Sequence, residues 1–533
     1  MAVFSTFHGL ETSKRALFTQ RVALNTMGHN IANAATEGYS RQRVNMTATR
    51  PMDAPAFARS NAPGQIGTGV EYSSVVRLRD NYLDMQFRRE NQSMGEWGVR
   101  DATMRSLEKI INEPSESGLR AVMDEFWNSW EVLNRDPQLL SARVDVVGTA
   151  VNLVDTLKHI DTSLNTLAAD LDNNIGRKVT EANNIIENIA ILNGLIRKTE
   201  GLGNNANDYR DKRDLLIDQL STLVDVEVTE TPDGILSITS AGVQVVNHEA
   251  VVPLAAANAA GATAGELAGY EASKAEVETL RQQLNAMVNT LMTGTVEVQV
   301  QNGYVASKDM VALVDVRLEN GTVIPAGETI PEGSRIEAAD PAQSFIRLEV
   351  NGFNGLHQLG YGLSNPPSGN RSFFTTTDGS ATFTIANIQV NPDIQKNTDL
   401  IAASGKYDIV GTDAQVIRGN SDIAHAIAGL RDKVFTYPQN VTSLSQGTTD
   451  DYFRALTGDL GIRAANTTRN YNNQRDLVDA INMRRQEVSG VSLDEEMSDM
   501  IRFQHAYNAA ARNMTAVDEM LDRIINGMGI VGR

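Results

Sequence analysis

The chain contains no cysteine, and this absence excludes disulfide bonds, thiolate catalysis and zinc sites built on cysteine. It leaves the compartment open, because a reducing cytosol and a disulfide-free exported protein both fit. Aromatic residues are also scarce, at 5% of the 533 residues, whereas Asn, Thr and Ala are plentiful. This composition suits long helices joined by small side chains better than the deep apolar core of an enzyme.

Long apolar runs are missing as well. No stretch approaches the roughly 18 consecutive apolar residues that a membrane-spanning helix requires, so we expect no membrane span. The first residues lack the basic segment and apolar core of a secretory signal peptide. With 66 acidic and 47 basic side chains the net charge is −19, and no long Lys/Arg run occurs. Nucleic acid is therefore not expected as a partner.

Motifs that carry catalytic or metal chemistry are absent too. The seven histidines are scattered, and none has a second histidine four residues away. His248 and Glu249 match only the first half of the zinc-protease motif H-E-x-x-H, and neither a Walker A nor a G-x-S-x-G motif occurs. The acidic run from Asp494 to Glu496 opens a helix, where carboxylates stabilise the positive end of the helix dipole. We therefore expect no catalytic residue, metal site, cofactor or enzymatic activity.

What the sequence does contain is a heptad stripe at each end. The N-terminal stripe consists of Val3, Leu10, Leu17, Leu24 and Ile31. The C-terminal stripe includes Leu493, Met497, Met500, Tyr507, Met514, Leu521, Ile525 and Met528, with polar breaks at Gln504 and Asp518. A seven-residue period predicts a seam between helices. Such a stripe is either ordinary core within one chain or a seam between copies, and its narrow period and terminal position favour the seam.

The pattern along the chain predicts an α+β multidomain fold. We expect paired coiled-coil-like helices at the N- and C-termini, a long central helical bundle and outer β-rich domains. The predicted segments are 1–80 (axial helix and extended segment), 81–225 (helical bundle), 226–293 (β-hairpin region and helix), 294–350 (small all-β insert), 351–449 (β-rich outer domain) and 450–533 (C-terminal helices).

Several boundaries follow from local signals. The first helix is expected to stop near Ala35, because Gly38 follows and can act as a C-terminal breaker. The longest helical stretch is expected from Pro137 to about Thr199, and a turn is expected at Asp233–Gly234. In the insert, valines alternate with polar residues beside an Asn-Gly pair at Asn302–Gly303, which predicts a β-hairpin.

Two stretches resemble the terminal signatures of bacterial flagellar axial proteins of the rod–hook group. The N-terminal one reads N-I-A-N from Asn30 to Asn33 and then G-Y-S-R-Q from Gly38 to Gln42. The C-terminal one contains Arg502-Phe503-Gln504, Tyr507, Ala509-Ala510 and Asn513. Within the group, the segment from Asp208 to Val228 and the long helix before it resemble the proteins of the hook–filament junction.

The resemblance implies a structural adaptor that joins the hook to the filament and is required for filament attachment and motility. Its terminal helices would line the axial tube. The implied partners are further copies of the chain, the hook protein, a second hook–filament junction protein and a flagellar export chaperone. The implied route is secretion through the flagellar type III export apparatus to the extracellular flagellum.

The resemblance also implies two sets of interface residues. The axial subunit interface is expected at Val3, Leu10, Leu17, Leu24, Asn30, Ile31, Asn33, Gly38, Tyr39, Leu493, Met497, Met500, Phe503, Tyr507, Met514, Leu521 and Ile525. The chaperone is expected to grip the C-terminal helix at Met500, Tyr507, Met514 and Leu521. Residues 294–350 depart from the family pattern. An alternative therefore stays open, in which this insert recognises a surface and gives the protein an adhesin-like role.

Overall fold

A computed structural model describes residues 7–51, 67–113, 115, 118–231, 236–410, 413–439 and 444–527. Val3, Met528 and the turn expected at Asp233–Gly234 lie outside these residues. Within the described part of the chain, none of the helices combines the length and the apolar character needed to cross a lipid bilayer.

Eleven α-helices are found among the described residues. They are α1 (His8–Ala32), α2 (Asn81–Ile111), α3 (Leu119–Arg135), α4 (Leu140–Glu200), α5 (Asn207–Leu223), α6 (Gly265–Thr293), α7 (Gly352–Leu359), α8 (Pro392–Lys396), α9 (Asp422–Ala428), α10 (Thr449–Ser489) and α11 (Leu493–Gly527). Short 3₁₀ helices cover Ala256–Gly261, Thr398–Leu400 and Gly429–Asp432.

The described strands are short and pair mostly with their neighbours in sequence. They are β1 (Gln42–Ala48), β2 (Val70–Arg77), β3 (Glu227–Glu230), β4 (Leu236–Ser240), β5 (Val243–Asn247), β6 (Ala250–Val251), β7 (Thr295–Gln301), β8 (Tyr304–Val305), β9 (Met310–Val311), β10 (Val316–Leu318), β11 (Val323–Ile324), β12 (Thr329–Ile330), β13 (Arg335–Ala338), β14 (Phe345–Asn351), β15 (Phe374–Thr376), β16 (Ile388–Val390), β17 (Tyr407–Val410), β18 (Asp413–Val416), β19 (Phe435–Thr436) and β20 (Gln446–Gly447). With long helices at both ends and several small antiparallel sheets, the fold is α+β, as the sequence predicts.

The first helix ends earlier than its glycine suggests. It stops at Ala32, because the side-chain amide of Asn33 donates to the carbonyl oxygen of His29 at 3.0 Å and so caps the last turn. Gly38 serves a later turn instead, with φ at +77°. A Cβ there would lie 2.9 Å from the Cβ of Leu215, so both the backbone angle and the close approach of α5 require glycine.

The chain forms two compact units. One comprises Met1–Gly98, Ile175–Gly269 and Asn470–Arg533, and the other comprises Val99–Asn174 and Tyr270–Arg469. The chain passes from one unit to the other at four positions, and each of them lies inside a helix, namely α2, α4, α6 and α10. The finer division into six segments stays a prediction.

Strands β7 and β14 belong to the core of the second unit. They pair antiparallel over seven positions, with Val298 opposite Leu348. Their alternate side chains are buried and join one apolar cluster with helix residues such as Phe126, Trp130 and Phe353. The predicted insert therefore contributes strands to a core that it shares with the surrounding chain.

His357 on α7 is fully enclosed in this core. Its Nδ1 donates to the carbonyl oxygen of Arg371 at 2.6 Å, and its Nε2 accepts from the backbone N–H of Ala402 at 3.0 Å. This pattern requires the neutral ring, because a proton on Nε2 would face another donor. Burial lowers the pKa of His357 to about 4.

This arrangement predicts acid sensitivity of the second unit. Because the ring titrates lower in the folded chain than in the unfolded chain, the folded state binds fewer protons between about pH 6.5 and pH 4. The stability gained from His357 should be complete above that window and fall by about 3 kcal/mol as the pH drops through it.

Urea unfolding followed by tryptophan fluorescence measures this loss at pH 7 and pH 4.5; Trp127 and Trp130 report on the second unit, and Trp97 adds a signal from the first. The His357→Gln variant should be less stable at pH 7 and should lose less stability than the parent on acidification. An equal loss in both proteins would contradict the prediction.

Candidate assembly site at the paired chain ends

Helices α1 and α11 pack antiparallel along one continuous seam. Asn513 Nδ2 donates to Ser13 Oγ at 2.8 Å, and Asn30 Nδ2 donates to Glu496 Oε2 at 3.0 Å. Gly9 faces Val517, whose Cγ2 lies 3.1 Å from the position of an added Cβ. The partners of Gly9, Ser13 and Asn30 on α11 are Val517, Asn513 and Glu496. Steps of 4 and then 17 residues forward along α1 thus correspond to steps of 4 and then 17 residues backward along α11. The register is therefore constant along the seam.

The N-terminal seam residues lie beside the most buried face of α1. Leu10, Leu17, Leu24 and Ile31 are half-buried. The buried side chains of the helix are Ser13, Thr19, Ala23, Met27 and Asn30. Apart from Met27, these side chains are small or polar, and small residues allow α1 to approach α11 and the β1–β2 hairpin closely.

The C-terminal stripe divides between packed and exposed positions. Leu521 is buried, and Met500, Phe503 and Met514 are half-buried. Leu493, Met497, Tyr507 and Ile525 are exposed in the single chain.

The Asn30 side chain uses all of its hydrogen-bonding capacity. Besides its bond to Glu496, Nδ2 donates to the carbonyl oxygen of Gln42 at 2.9 Å. Oδ1 accepts from the hydroxyl of Tyr39 at 2.7 Å and from the backbone N–H of Gln42 at 3.0 Å. Burial and nearby carboxylates raise the pKa of Tyr39, which keeps this hydroxyl a donor. The first Asn of N-I-A-N thus fixes the chain where it leaves α1.

Glu496 connects α11 to the segment that follows α1, residues 39–42, which we call the crossing segment. Its side chain is 1% exposed, and Oε1 accepts from Arg41 Nε at 2.6 Å. Arg41 also binds Glu495, and its backbone N–H donates to the carbonyl oxygen of Ser489 at 2.8 Å. The sequence interpretation of this acidic run as a helix-dipole feature is incomplete, because Glu495 and Glu496 both bind the arginine.

A second polar cluster lies next to the crossing segment, and its carboxylates come from one face of α5. Asp211, Asp214 and Asp218 are spaced by three and four residues and are all buried. Arg77 binds the first two at 2.8 and 2.9 Å. Ser40 donates its backbone N–H to Asp211 at 3.0 Å, which links the cluster to the crossing segment.

The same carboxylates hold α2 and α10. Arg88 Nε and Arg485 Nη2 bind the two oxygens of Asp218 at 2.7 and 2.6 Å. Arg485 also binds Asp84 at 2.9 Å, and Arg79 binds Asp84 at 2.5 Å. We call these eight residues the Arg–Asp cluster: Arg77, Arg79, Asp84, Arg88, Asp211, Asp214, Asp218 and Arg485.

Within the cluster, neighbouring arginines keep Asp214 ionised despite its burial. Burial alone would raise the pKa of Asp214, but Arg79, Arg77 and Arg88 outweigh it and hold this pKa well below its usual range. By linkage, the stabilisation is present above the ordinary carboxyl pKa and is lost as the pH falls toward the lowered one.

Neither periodicity nor motifs predicted this cluster. The segment from Asp208 onward was predicted to be a helix and resembled a family motif, but its carboxylates were given no role. The available signal was three carboxylates at helical spacing beside apolar residues such as Ile217 and Leu220, a pattern that requires basic partners. In the described part of the chain, His and carboxylate side chains form no group of three suited to a metal ion.

Different protein-family models match the two ends and the middle of the chain. The model described as "Flagella basal body rod protein" matches residues 10–39, and "Flagellar basal body rod FlgEFG protein C-terminal" matches residues 484–527. These ranges contain most of α1 and α11 and define an axial protein of the flagellar rod and hook class. The model "Flagellar hook-associated protein FlgK helical domain" matches residues 104–308.

Relatives that align over nearly the whole chain show which family of this class it belongs to. Flagellar hook-associated protein 1 of Bacillus subtilis (strain 168) is 32% identical over 542 residues, covering 99% of this chain and 100% of the relative. The protein of the same name from Escherichia coli (strain K12) is 25% identical, covering 97% and 99%. The chain belongs to the flagellar hook-associated protein 1 family. A solved structure, that of the flagellar hook junction protein FlgK from Burkholderia pseudomallei, is similar at a TM-score of 0.46 with 13% identity, covering 76% of this chain and 100% of that one.

Neutralising one carboxylate tests the Arg–Asp cluster. The Asp218→Asn variant leaves Arg88 and Arg485 buried without their shared charge partner, which should lower the free energy of unfolding by about 3 kcal/mol. Urea unfolding followed by circular dichroism measures this difference.

The matched control is Glu249→Gln, because the Glu249–Arg197 pair is exposed. It should change the stability by less than about 0.5 kcal/mol. If both variants have the same stability, the cluster does not hold the first unit together.

Proposed function

We propose that this protein is a structural adaptor of the flagellum that joins the hook to the filament through axial packing of α1 and α11. The observation that carries the proposal is a row of exposed apolar side chains at the start of α11. Leu493, Met497 and Ile501 are 51%, 58% and 55% exposed and lie four residues apart, so they share one side of the helix.

This row favours association between copies. Moving each such side chain out of water contributes about 1.5–3 kcal/mol. Because α11 already packs on α1 through its other side, the row remains available to a neighbouring subunit. In the proposal, the subunit interface combines this row with the predicted residues that keep exposed surface, namely Leu10, Leu17, Leu24, Ile31, Asn33, Gly38, Tyr39, Met500, Phe503, Tyr507, Met514 and Ile525. The predicted residues Asn30 and Leu521 are buried within the single chain, so their proposed part is to hold the helix pair that presents this surface.

The further partners follow from the same assembly. A junction adaptor contacts the hook protein on one side and a second hook–filament junction protein on the other. The names of the relatives support a place in the hook-associated part of the flagellum. We propose that the chain reaches this place through the flagellar type III export apparatus and acts there without enzymatic activity.

The proposed chaperone site overlaps the helix pair. Leu521 is 8% exposed, and Met500 and Met514 are half-buried. Tyr507 is the most exposed of the four predicted residues, at 36%. A chaperone that grips this face must therefore separate α11 from α1, so chaperone binding and helix pairing exclude each other.

Deleting the gene tests the adaptor role. The deletion strain should build hooks but release its filament protein into the medium, and it should not swim. Electron microscopy of cell-attached hooks and assay of the medium for filament protein measure this outcome, and restoring the gene is the control. A deletion strain that keeps normal filaments would contradict the proposal.

Substitution on the exposed row tests the interface itself. The Met497→Asp/Ile501→Asp variant should be secreted and as stable as the parent, because both side chains are exposed, but its incorporation into flagella should fall at least about tenfold. Immunolabelling of isolated hooks measures incorporation. Glu519→Ser, an exposed change on the same helix, should incorporate normally. Equal incorporation of the two variants would exclude this row from the interface.

A further inference from the structure

We propose that Glu496 sets the register of the α1–α11 pair and thereby decides which surface the paired helices present to neighbouring copies. The inference rests on the proposed function, because register matters only if the pair is a packing surface. Glu496 is here a positioning residue, which acts through Asn30 and Arg41.

The seam itself is weak in register information. Apart from Met27, the buried face of α1 is formed by small or polar side chains such as Gly9, Ser13 and Ala23, and small side chains lock poorly into a facing helix. Small residues allow two helices to approach closely, but they offer few protruding groups that distinguish one alignment from the next. A single buried polar residue is the best-attested means by which paired helices fix one alignment at a cost in stability.

Glu496 has the features of such a residue. It is 1% exposed, and its two oxygens bind partners from two different parts of the chain, Asn30 at the end of α1 and Arg41 in the crossing segment. Asn30 is also 1% exposed and has no spare bonding capacity. Neither group can be left unpaired without a large penalty.

A slip of one heptad would break this match. Asn30 would then lie opposite Ser489 or Phe503, and Glu496 would lie opposite Ala23 or Glu37. None of these residues offers the buried carboxylate a donor side chain of the right length. The penalty for a buried, unpaired charge therefore excludes the slipped pairings.

The absence of cysteine in the chain makes the register directly measurable. The Ser13→Cys/Asn513→Cys variant places two thiols at a native contact, whereas Ser13→Cys/Met520→Cys and Ser13→Cys/Ala506→Cys place them together only after a slip of one heptad. Mild oxidation of the full chain followed by peptide mapping gives the ratio of slipped to native cross-links.

With Glu496 intact, the native cross-link should dominate. Glu496→Leu should raise the ratio of slipped to native products at least about tenfold, because both alignments then bury an apolar residue. Glu496→Gln keeps one acceptor oxygen but turns its NH2 group toward the second donor, Asn30 or Arg41, so its ratio should lie between those of the parent and Glu496→Leu. Asp494→Leu removes an exposed charge from the same helical turn and should leave the ratio unchanged, which separates register from a helix-dipole effect.

Two results would overturn the proposal. One is a purely native cross-link in Glu496→Leu, and the other is loss of every cross-link, which would make Glu496 necessary for pairing itself rather than for its alignment. These outcomes are independent of the adaptor role, because the gene deletion tests that role without reference to Glu496.

Discussion

Buried arginines dictate how the first compact unit is built. Four guanidinium groups lie at the meeting of β2, α2, α5 and α10, and burial of this kind is tolerated only when carboxylates neutralise each charge and occupy its donors. Helix α5 supplies three of the four carboxylates from one face. The elements around it are therefore held by charge matching as well as by the apolar side chains that α5 buries, Ile217, Leu220 and Leu223.

The crossing segment after α1 connects this cluster to the paired helices α1 and α11. Ser40 is bonded to the Arg–Asp cluster, while its neighbours Tyr39 and Arg41 are bonded to Asn30 and Glu496. A few consecutive residues thus connect the Arg–Asp cluster to a helix pair whose α1 face consists mostly of small or polar side chains. Polar contacts thus concentrate at this end of the pair, while Leu493, Met497 and Ile501 on α11 stay exposed.

Periodicity predicted the parts of this fold that depend on local sequence. The long helix was expected from Pro137 to about Thr199, and α4 runs from Leu140 to Glu200. Alternating valines predicted the strand that becomes β7. The terminal stripes predicted helices, and the N-I-A-N and G-Y-S-R-Q motifs pointed to the family. Periodicity could not predict which side of α1 is buried, because Ser13 and Asn30 have no apolar signature. Nor could it pair Asp218 with Arg88 and Arg485, which are distant in sequence.

The helix pair also constrains the order in which the chain can mature. Asn30 and Glu496 are 466 residues apart, and Ser13 and Asn513 are 500 apart, so each contact joins the first part of the chain to the last. A ribosome delivers the N-terminus first, and a lone helix is marginal in water. Helix α1 can pack on the β1–β2 hairpin early in synthesis, but its contacts with α11 must wait until the last part of the chain is made. The α1–α11 pair is therefore the last of these contacts to form.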